Sequence, residues 1–349
     1  MLKHWWKILG AVLMIYAIAA GMLVPLSPAS HYVDNQRAET GQQLELTVTG
    51  YNTHYFSEEG AIRAWLRRDS AFSLCADNVS VLSERLLKLS FTIPARVYDK
   101  DEAVRFSLVV DNKKDGYSVL PEAVVVTQMP SRALIPPTCD IQDLNDGEYA
   151  FTFPFRNILE ETIRNLYYHV PLWFAMILLF LISMIHSIRY LSSSELSHSI
   201  KAAEYVRVGV VYGLLGLLTG AIWAKHTWGS YWNWDLRQIT AAIAMLIYLA
   251  YFVLRDSFDD EERKARLGAV FNIFAFAALI PLMFVIPRLS DSLHPGAGGN
   301  PAFGTNDLDN TMRMVFYPAI IGFMLVGVWM SQLLYRMALI KEKIIDRMD

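Results

Sequence analysis

The sequence predicts a mainly α-helical membrane protein: a six-helix transmembrane bundle with a β-rich, sandwich-like domain inserted between helices 1 and 2. Two features predict this class, six long apolar runs and one polar stretch of alternating residues. Of the 349 residues 54% are apolar and 19% charged, a larger apolar excess than a soluble core requires. The mean hydropathy of +0.27 is nevertheless low for a chain lying wholly in a bilayer. The net charge of −3 provides no basic field and argues against a nucleic-acid partner.

Each apolar run is roughly 17 to 22 residues long, enough to cross a hydrocarbon layer of ~30 Å as a helix. The first run also resembles a cleaved signal peptide, because Lys3 and Lys7 precede it and small residues follow it. Retention is favoured because the run is long for a signal peptide. The spans are expected at about residues 8–26, 170–188, 206–224, 238–254, 268–287 and 315–334.

The distribution of Lys and Arg predicts the orientation. These residues gather before the first span, between the second and third, between the fourth and fifth, and after the sixth. Cytoplasmic loops carry such an excess, so both termini are expected in the cytoplasm. The expected organisation is a first helix at 1–26, an insert on the opposite, outer side of the membrane at 27–154, and five further spans within 155–349. The loop 225–237 is then also on the outer side.

The insert contains short β-favouring runs separated by turn residues, at 44–51, 86–93, 104–111 and 123–128. Residues 155–168 instead have apolar residues at helical spacing, which predicts a helix along the membrane surface. Cys75 and Cys139 both fall in the insert, so a disulfide between them can form only if this segment meets an oxidising compartment.

The densest unusual feature is the aromatic segment, WGSYWNWD at 228–235, in the loop between the third and fourth spans. One interpretation is an interfacial aromatic belt, since Trp and Tyr gather at the headgroup level. Such belts are scattered, however, whereas this run is compact and is followed by Arg237. It also suits a flat, apolar, partly anionic ligand that stacks on the rings and pairs with arginine. The candidate contact residues are Trp228, Gly229, Tyr231, Trp232, Trp234, Asp235 and Arg237.

Two histidines are predicted at the same side and depth as this segment. His169 lies at the outer start of the second span, and His294 lies just beyond the outer end of the fifth. Each alone is typical of an interfacial hydrogen-bonding residue. Together with the aromatic segment they predict the two axial ligands of a porphyrin iron, a role that neutral imidazole suits. Nucleotide-binding, HExxH metal and GxSxG nucleophile motifs are absent from the sequence.

These residues resemble the CcmC/CcsA family of haem-handling proteins in cytochrome c biogenesis, whose members share a tryptophan-rich "WWD" loop. The resemblance rests on RNLYYHVP (164–171), LTGAIWAKHTWGSYWNWDLR (218–237) and DSLHPG (291–296). It covers about 160–340, plus the first span by topology, and is closer to the CcmC branch. Two features depart from that branch: Tyr231 stands where Trp is frequent, and the insert replaces a short loop.

The resemblance implies a haem-delivery protein in the inner membrane of a bacterium, with the insert and the loop 225–237 in the periplasm. Haem b would be held non-covalently at the outer face, with His169 and His294 on the iron and the aromatic segment over one porphyrin edge. A CcmE-like chaperone would receive the haem, CcmA/CcmB/CcmD-like proteins of an ABC-type complex would release the product, and apocytochrome c is a further candidate partner. Arg237 and Arg164 are the propionate candidates by charge and position.

Other functions remain open from the sequence. A CcsA-like synthase would attach haem directly to apocytochrome c, but synthases carry further histidines within their spans, and here only His186 lies near one, at its cytoplasmic end. A solute permease would show broken, charged spans. The insert is expected to be either a spacer or a docking module for the chaperone or an apocytochrome.

Overall fold

The computed structural model describes residues 4–98, 103–131, 133–135, 138–141, 143–148, 151–289, 292–294 and 308–345. The chain divides into two compact units. The helical unit comprises Met1–Leu23 and Glu161–Asp349, and the β unit comprises Val24–Glu160. This is the predicted class, an α-helical membrane protein with a β-rich insert between its first two spans.

Six helices in the described part of the chain are long and apolar enough to cross a membrane. After α5 the chain continues through one π-helical turn, Pro281–Val285, and one 3-10 turn, Ile286–Arg288. Pro281 lacks a backbone N–H and its ring crowds the preceding turn, which explains why the regular helix ends there. The helices are α1 (Trp5–Leu23), α2 (Leu166–Ser193), α3 (Leu196–Trp228), α4 (Leu236–Asp256), α5 (Glu261–Ile280) and α6 (Asn310–Ile345).

The helices α2, α3, α4 and α6 extend beyond the predicted apolar runs at both ends. The helix α1 starts earlier than predicted but ends at Leu23, so the predicted end at 26 is wrong. The helix α5 also starts earlier, and its regular part ends at Ile280, short of the predicted end at 287, which only the two turns after it reach. The helix α3 continues to Trp228 and ends at Gly229, whose φ of +81° turns the chain out of the helix. Trp228 is therefore a helical residue rather than part of a loop. At the start of α2, His169 lies in the first turn. Hydropathy marks only the apolar part of a helix, and its polar ends are fixed by caps and contacts.

The core of the helical unit lies around α2, which packs most extensively against α3 and also contacts α5 and α6. Phe180 stacks on Tyr248 with ring centroids 3.5 Å apart. A buried amide joins α5 to α2, because Asn272 donates to the hydroxyls of Ser183 and Ser187 at 2.7 and 2.8 Å. Such interhelical hydrogen bonds stabilise helix association where lipid offers no polar partner.

The first helix packs on α6 through small residues. A Cβ added at Gly10 would lie 2.7 Å from the Leu325 side chain, and one added at Gly322 would lie 2.7 Å from the backbone nitrogen of Met14. Glycine at both contacts therefore permits the close approach of the two helices. This packing makes α1 part of the helical bundle.

The β unit is a two-sheet sandwich. One sheet has the strand order β1-β3-β7-β6 and the other β2-β9-β8-β4-β5. All described pairings between these strands are antiparallel except that of β2 with β9. The nine described strands are β1 (Ala29–Val33), β2 (Arg37–Glu39), β3 (Gln43–Tyr51), β4 (Arg63–Arg67), β5 (Ser73–Cys75), β6 (Asn78–Ser83), β7 (Leu86–Thr92), β8 (Ala103–Asn112) and β9 (Gly116–Thr127).

Alternation builds the core of this sandwich. Along β3, Leu44, Leu46 and Val48 are buried while their neighbours face outwards, as a period of two residues requires. Burial raises the pKa of Tyr55, which lies in the same core, to about 12. The four β-favouring runs of the sequence correspond to β3, β7, β8 and β9.

Cys75 and Cys139 form a disulfide, with their Cα atoms 5.7 Å apart. The bond joins the end of β5 to the segment after β9. Backbone pairing supports it, since Cys139 N–H donates to the Ser73 carbonyl at 2.9 Å. The pairing that the sequence left open is therefore formed in the structure.

The prediction of a single helix over residues 155–168 is wrong. The Arg156 carbonyl accepts from the backbone N–H groups of Leu159 and Glu160 in a turn, and Glu160 has a φ of +44°. A 3-10 helix follows at Glu160–Asn165, and α2 begins at Leu166. A left-handed residue interrupts a right-handed helix, which apolar spacing alone does not reveal.

Candidate functional site

Four helix ends converge at one end of the helical unit. They are the first turn of α2, the last turns of α3, the start of α4, and the chain that follows α5. Hydrogen bonds and ring contacts link His169 on α2, Thr219 and Trp223 on α3, Asp235 before α4, and the segment of His294 after α5. The structure thus brings together residues that lie more than 120 positions apart in the sequence.

The His169 ring is held by contacts to both of its nitrogens. Its Nδ1 lies 3.1 Å from the Thr219 hydroxyl, and its Nε2 accepts a hydrogen bond from the Trp173 indole N–H at 3.3 Å. A Cβ added at Gly220 would lie 2.8 Å from the His169 Cε1. The absence of a side chain at Gly220 therefore leaves the space that the imidazole occupies.

His294 is positioned by Asp235. The Ser292 hydroxyl donates to both carboxylate oxygens of Asp235, at 2.9 and 3.1 Å, and the Leu293 N–H donates to Oδ2 at 2.9 Å. The His294 N–H in turn donates to the Ser292 Oγ at 3.1 Å. The same carboxylate caps α4 by accepting from the Arg237 N–H at 2.9 Å. One carboxylate, only 7% exposed, thus ties the segment 292–294 to the end of the aromatic segment.

The His169 and His294 rings are neighbours, with centroids 6.4 Å apart and an interplanar angle of 37°. This distance fits an iron between them. Two metal–nitrogen bonds of about 2 Å, plus a ring radius of about 1 Å on each side, sum to about 6 Å. Trp223 flanks the pair, with its ring centroid 6.1 Å from that of His294 and 5.0 Å from that of Trp228.

The two histidines favour a metal ion that is already bound by a cofactor. Within the described residues, no group of three or more His, Cys, Asp or Glu side chains is placed to hold a metal ion. A bare transition metal needs about four protein ligands in a structural site. Two neighbouring imidazoles instead suit an iron whose other positions are filled by a porphyrin.

The aromatic segment is only partly exposed. Tyr231 and Trp234 are 59% and 76% exposed, whereas Trp228 and Trp232 are half-buried. Trp232 and Trp234 contact edge to face with centroids 6.0 Å apart, and Lys225 Nζ donates to the Gly229 carbonyl at 2.9 Å. The segment therefore presents two large rings outwards from a backbone that is fixed at both ends, by α3 and by Asp235.

The two arginines predicted to bind propionates occupy different surroundings. Arg237 is half-buried in the first turn of α4, beside Asp235. Arg164 contacts Glu161 at 2.5 Å through Nε and donates to the Gly21 carbonyl at 2.9 Å through Nη1. Arg164 therefore links the end of α1 to the start of α2, and its role towards a propionate stays a prediction.

Sequence reasoning missed three residues of this site: Thr219, Trp173 and Ser292. Trp173 could have been found, because it lies four residues after His169 and shares its helix face. Thr219 and Ser292 are short polar residues without a distinctive pattern. Only the packing of α3 on α2 and the fold of the segment after α5 bring their hydroxyls into place.

Comparisons with known proteins match the part of the chain that carries these residues. The family model described as CcmC, heme exporter protein C, matches residues 150–348. The heme exporter protein C of Paracoccus denitrificans is 27% identical over 165 residues, which cover 47% of this chain and 68% of that protein. The protein of the same name in Haemophilus influenzae is 29% identical over 135 residues, covering 39% of this chain and 54% of that protein.

A protein of the related branch also matches. The cytochrome c biogenesis protein CcsA of Welwitschia mirabilis is 34% identical over 91 residues, which cover 26% of this chain and 30% of that protein. Each match thus spans between 30% and 68% of the relative's own length. The family match begins at residue 150 and includes both site histidines and the aromatic segment, while most of the β unit precedes it.

Proposed function

Because this chain belongs to the CcmC family of heme exporter proteins, and so acts in haem handling for cytochrome c biogenesis, we propose that it holds haem b between His169 and His294. The observation that carries the proposal is the 6.4 Å separation of the two ring centroids. The haem is cargo, bound without a covalent bond and passed on, so the chain acts as a delivery protein rather than a turnover enzyme.

The residues around the histidines have distinct tasks in this proposal. Asp235 holds the segment of His294, and Thr219 and Gly220 hold the ring of His169. Trp223 and Trp228 provide apolar walls beside the ring pair. Ring stacking and exclusion of water strengthen the binding of a flat apolar molecule. Arg237 and Arg164 are the proposed propionate partners.

The proposed membrane topology follows from the charge distribution. With Lys and Arg in the loops at one end, the chain would be a multi-pass protein of the bacterial inner membrane, with both termini cytoplasmic. The end that carries His169, His294 and the aromatic segment would then face the periplasm, together with the β unit. A disulfide in the β unit agrees with that oxidising compartment.

The proposed recipient of the haem is a CcmE-like periplasmic chaperone, and the exposed rings of Tyr231 and Trp234 supply the docking surface. Exposed aromatic residues at the end of a site are typical of protein contacts. Release would involve CcmA/CcmB/CcmD-like proteins of an ABC-type complex. The β unit is proposed as a further docking module for the chaperone or for apocytochrome c.

A second candidate is direct attachment of haem to apocytochrome c, which the match to a CcsA protein favours. The two functions differ in what leaves the protein. Delivery yields a haem-loaded chaperone without apocytochrome, whereas synthesis yields cytochrome c without a chaperone. Reconstitution with each acceptor separately therefore discriminates between them.

The test of the haem site is an absorption spectrum of the full chain purified with haem. We expect a six-coordinate b-type spectrum for wild type and its loss in His169→Ala and in His294→Ala. His226→Ala is the matched control, because His226 is exposed and lies near the aromatic segment on α3. A haem-free wild type, or unaltered spectra in both site variants, would refute the proposed ligands.

A further inference from the structure

The Thr219 hydroxyl has one proton, and the structure indicates where it points. Its Oγ1 lies 2.9 Å from the Leu215 carbonyl and 3.1 Å from the Gly216 carbonyl, both in the preceding turn of α3. Carbonyl oxygens only accept hydrogen bonds, and Thr residues commonly donate to such backbone carbonyls within a helix. The hydroxyl proton is therefore directed into α3, and the Thr219 oxygen is left to accept from His169 Nδ1, 3.1 Å away. The backbone of Gly216, in the same turn of α3, also hydrogen-bonds the His169 ring.

A second, independent hydrogen bond leads to the same protonation of the ring. The indole N–H of Trp173 can only donate, and it contacts His169 Nε2 at 3.3 Å. Nε2 must therefore accept, so its lone pair is unprotonated. In a neutral imidazole one nitrogen carries the proton and the other accepts. Both contacts consequently specify the tautomer with hydrogen on Nδ1 and a lone pair on Nε2.

From this geometry we propose that Thr219 is the positioning residue that keeps His169 in the Nδ1–H tautomer and so presents Nε2 to the haem iron. This inference rests on the proposed function for its ligand. Imidazoles that bind metals characteristically donate their other N–H to a neighbouring acceptor, which fixes the ring orientation and makes the ligating nitrogen more basic. Gly220 leaves space for the His169 ring in this position, because a Cβ there would lie 2.8 Å from the His169 Cε1.

Trp173 has the opposite effect in this arrangement. Its N–H occupies the lone pair that the iron would use, so binding of haem exchanges one hydrogen bond for the iron bond. Removing the Thr219 acceptor should therefore weaken haem binding, while removing the Trp173 donor should strengthen it. Effects of opposite sign from two neighbours of one ring are not expected from general damage to the fold.

The tautomer can be tested without haem. The full chain, labelled with 15N-histidine and held in detergent micelles near neutral pH, is compared by NMR with His169→Gln, which identifies the His169 ring signals. We expect the proton on Nδ1 in wild type and a mixture of tautomers in Thr219→Val. A wild-type ring protonated on Nε2 would overturn the inference, whatever the protein does with haem.

The consequence for binding is tested by titration with haem. Thr219→Val should weaken binding about 10-fold, in the range found for partners of metal-bound histidines, and Thr219→Ser should restore it. Trp173→Phe should tighten it several-fold. Thr240→Val is the matched control, since the Thr240 hydroxyl also contacts a carbonyl of its own helix, that of Arg237 at 3.4 Å, at a buried position.

The outcomes separate the two proposals. If wild type binds haem through His169 and Thr219→Val binds it equally well, the role of Thr219 is wrong and the proposed function stands. If wild type shows the expected tautomer but binds no haem, the proposed function fails and the assignment of the tautomer stands.

Discussion

The Asp235 carboxylate provides the sharpest test of how the site is assembled. It accepts hydrogen bonds from the Ser292 hydroxyl, the Leu293 N–H and the Arg237 N–H. Replacement of Asp235 by Asn retains one accepting oxygen but turns the other towards a donor as an NH2 group. Asn caps a helix as well as Asp does, so α4 should be preserved and the segment 292–294 should lose its anchor.

The expected magnitude follows from the bond that is lost. A hydrogen bond to a charged group contributes about 1.5–3 kcal/mol. If about 2 kcal/mol of this is needed to order His294, haem affinity in Asp235→Asn falls about 30-fold, since 1.4 kcal/mol corresponds to a factor of ten. The assay is a titration of the full chain with haem, followed by its absorption spectrum.

Two comparisons decide whether the effect passes through His294. Asp260→Asn is the matched control, because Asp260 caps α5 by accepting from the Arg263 N–H at 2.6 Å and has no described hydrogen bond to 292–294. Its haem affinity should equal that of wild type. Asp235→Asn should also add little to His294→Ala, since the two changes remove one interaction. The reasoning would be refuted if Asp235→Asn lowered haem affinity equally in wild type and in His294→Ala, or if it did not lower haem affinity in wild type.

Two further predictions concern close packing and the disulfide. Gly220→Ala should weaken haem binding with little change in helical content, because the new Cβ would lie 2.8 Å from His169 Cε1. Circular dichroism measures the helical content and the haem titration measures the affinity. Unchanged affinity would contradict the proposed role of Gly220 in leaving space for the His169 ring. Cys75→Ser should lower the free energy of unfolding of the β unit by about 4 kcal/mol, from the loop-closure entropy of a crosslink between residues 64 positions apart. Hydrogen exchange in the strands of the full chain measures this, and reaction of unreduced wild type with a maleimide would argue against the Cys75–Cys139 bond.

Much of the fold is local in origin and could be read from the sequence. Each span can be recognised as a run of about 20 apolar residues, because only a helix that satisfies its own backbone hydrogen bonds and carries apolar side chains is stable in lipid. The strands show themselves by alternation, as along β3. The prediction of one helix over residues 155–168 was wrong. The apolar residues there have helical spacing, but the turn at Glu160 depends on backbone conformation, which spacing does not encode.

The sequence by itself determined the residue types of the site: two histidines, an aromatic segment and an acidic residue at one predicted end of the bundle. Only the tertiary structure decided how they are connected. It made Asp235 the anchor of His294 and Thr219 the partner of His169, because hydrogen bonds depend on distances of about 3 Å between groups far apart in the chain. The position of a span depends on hydropathy averaged over many residues, whereas the orientation of an imidazole depends on contacts with one or two atoms.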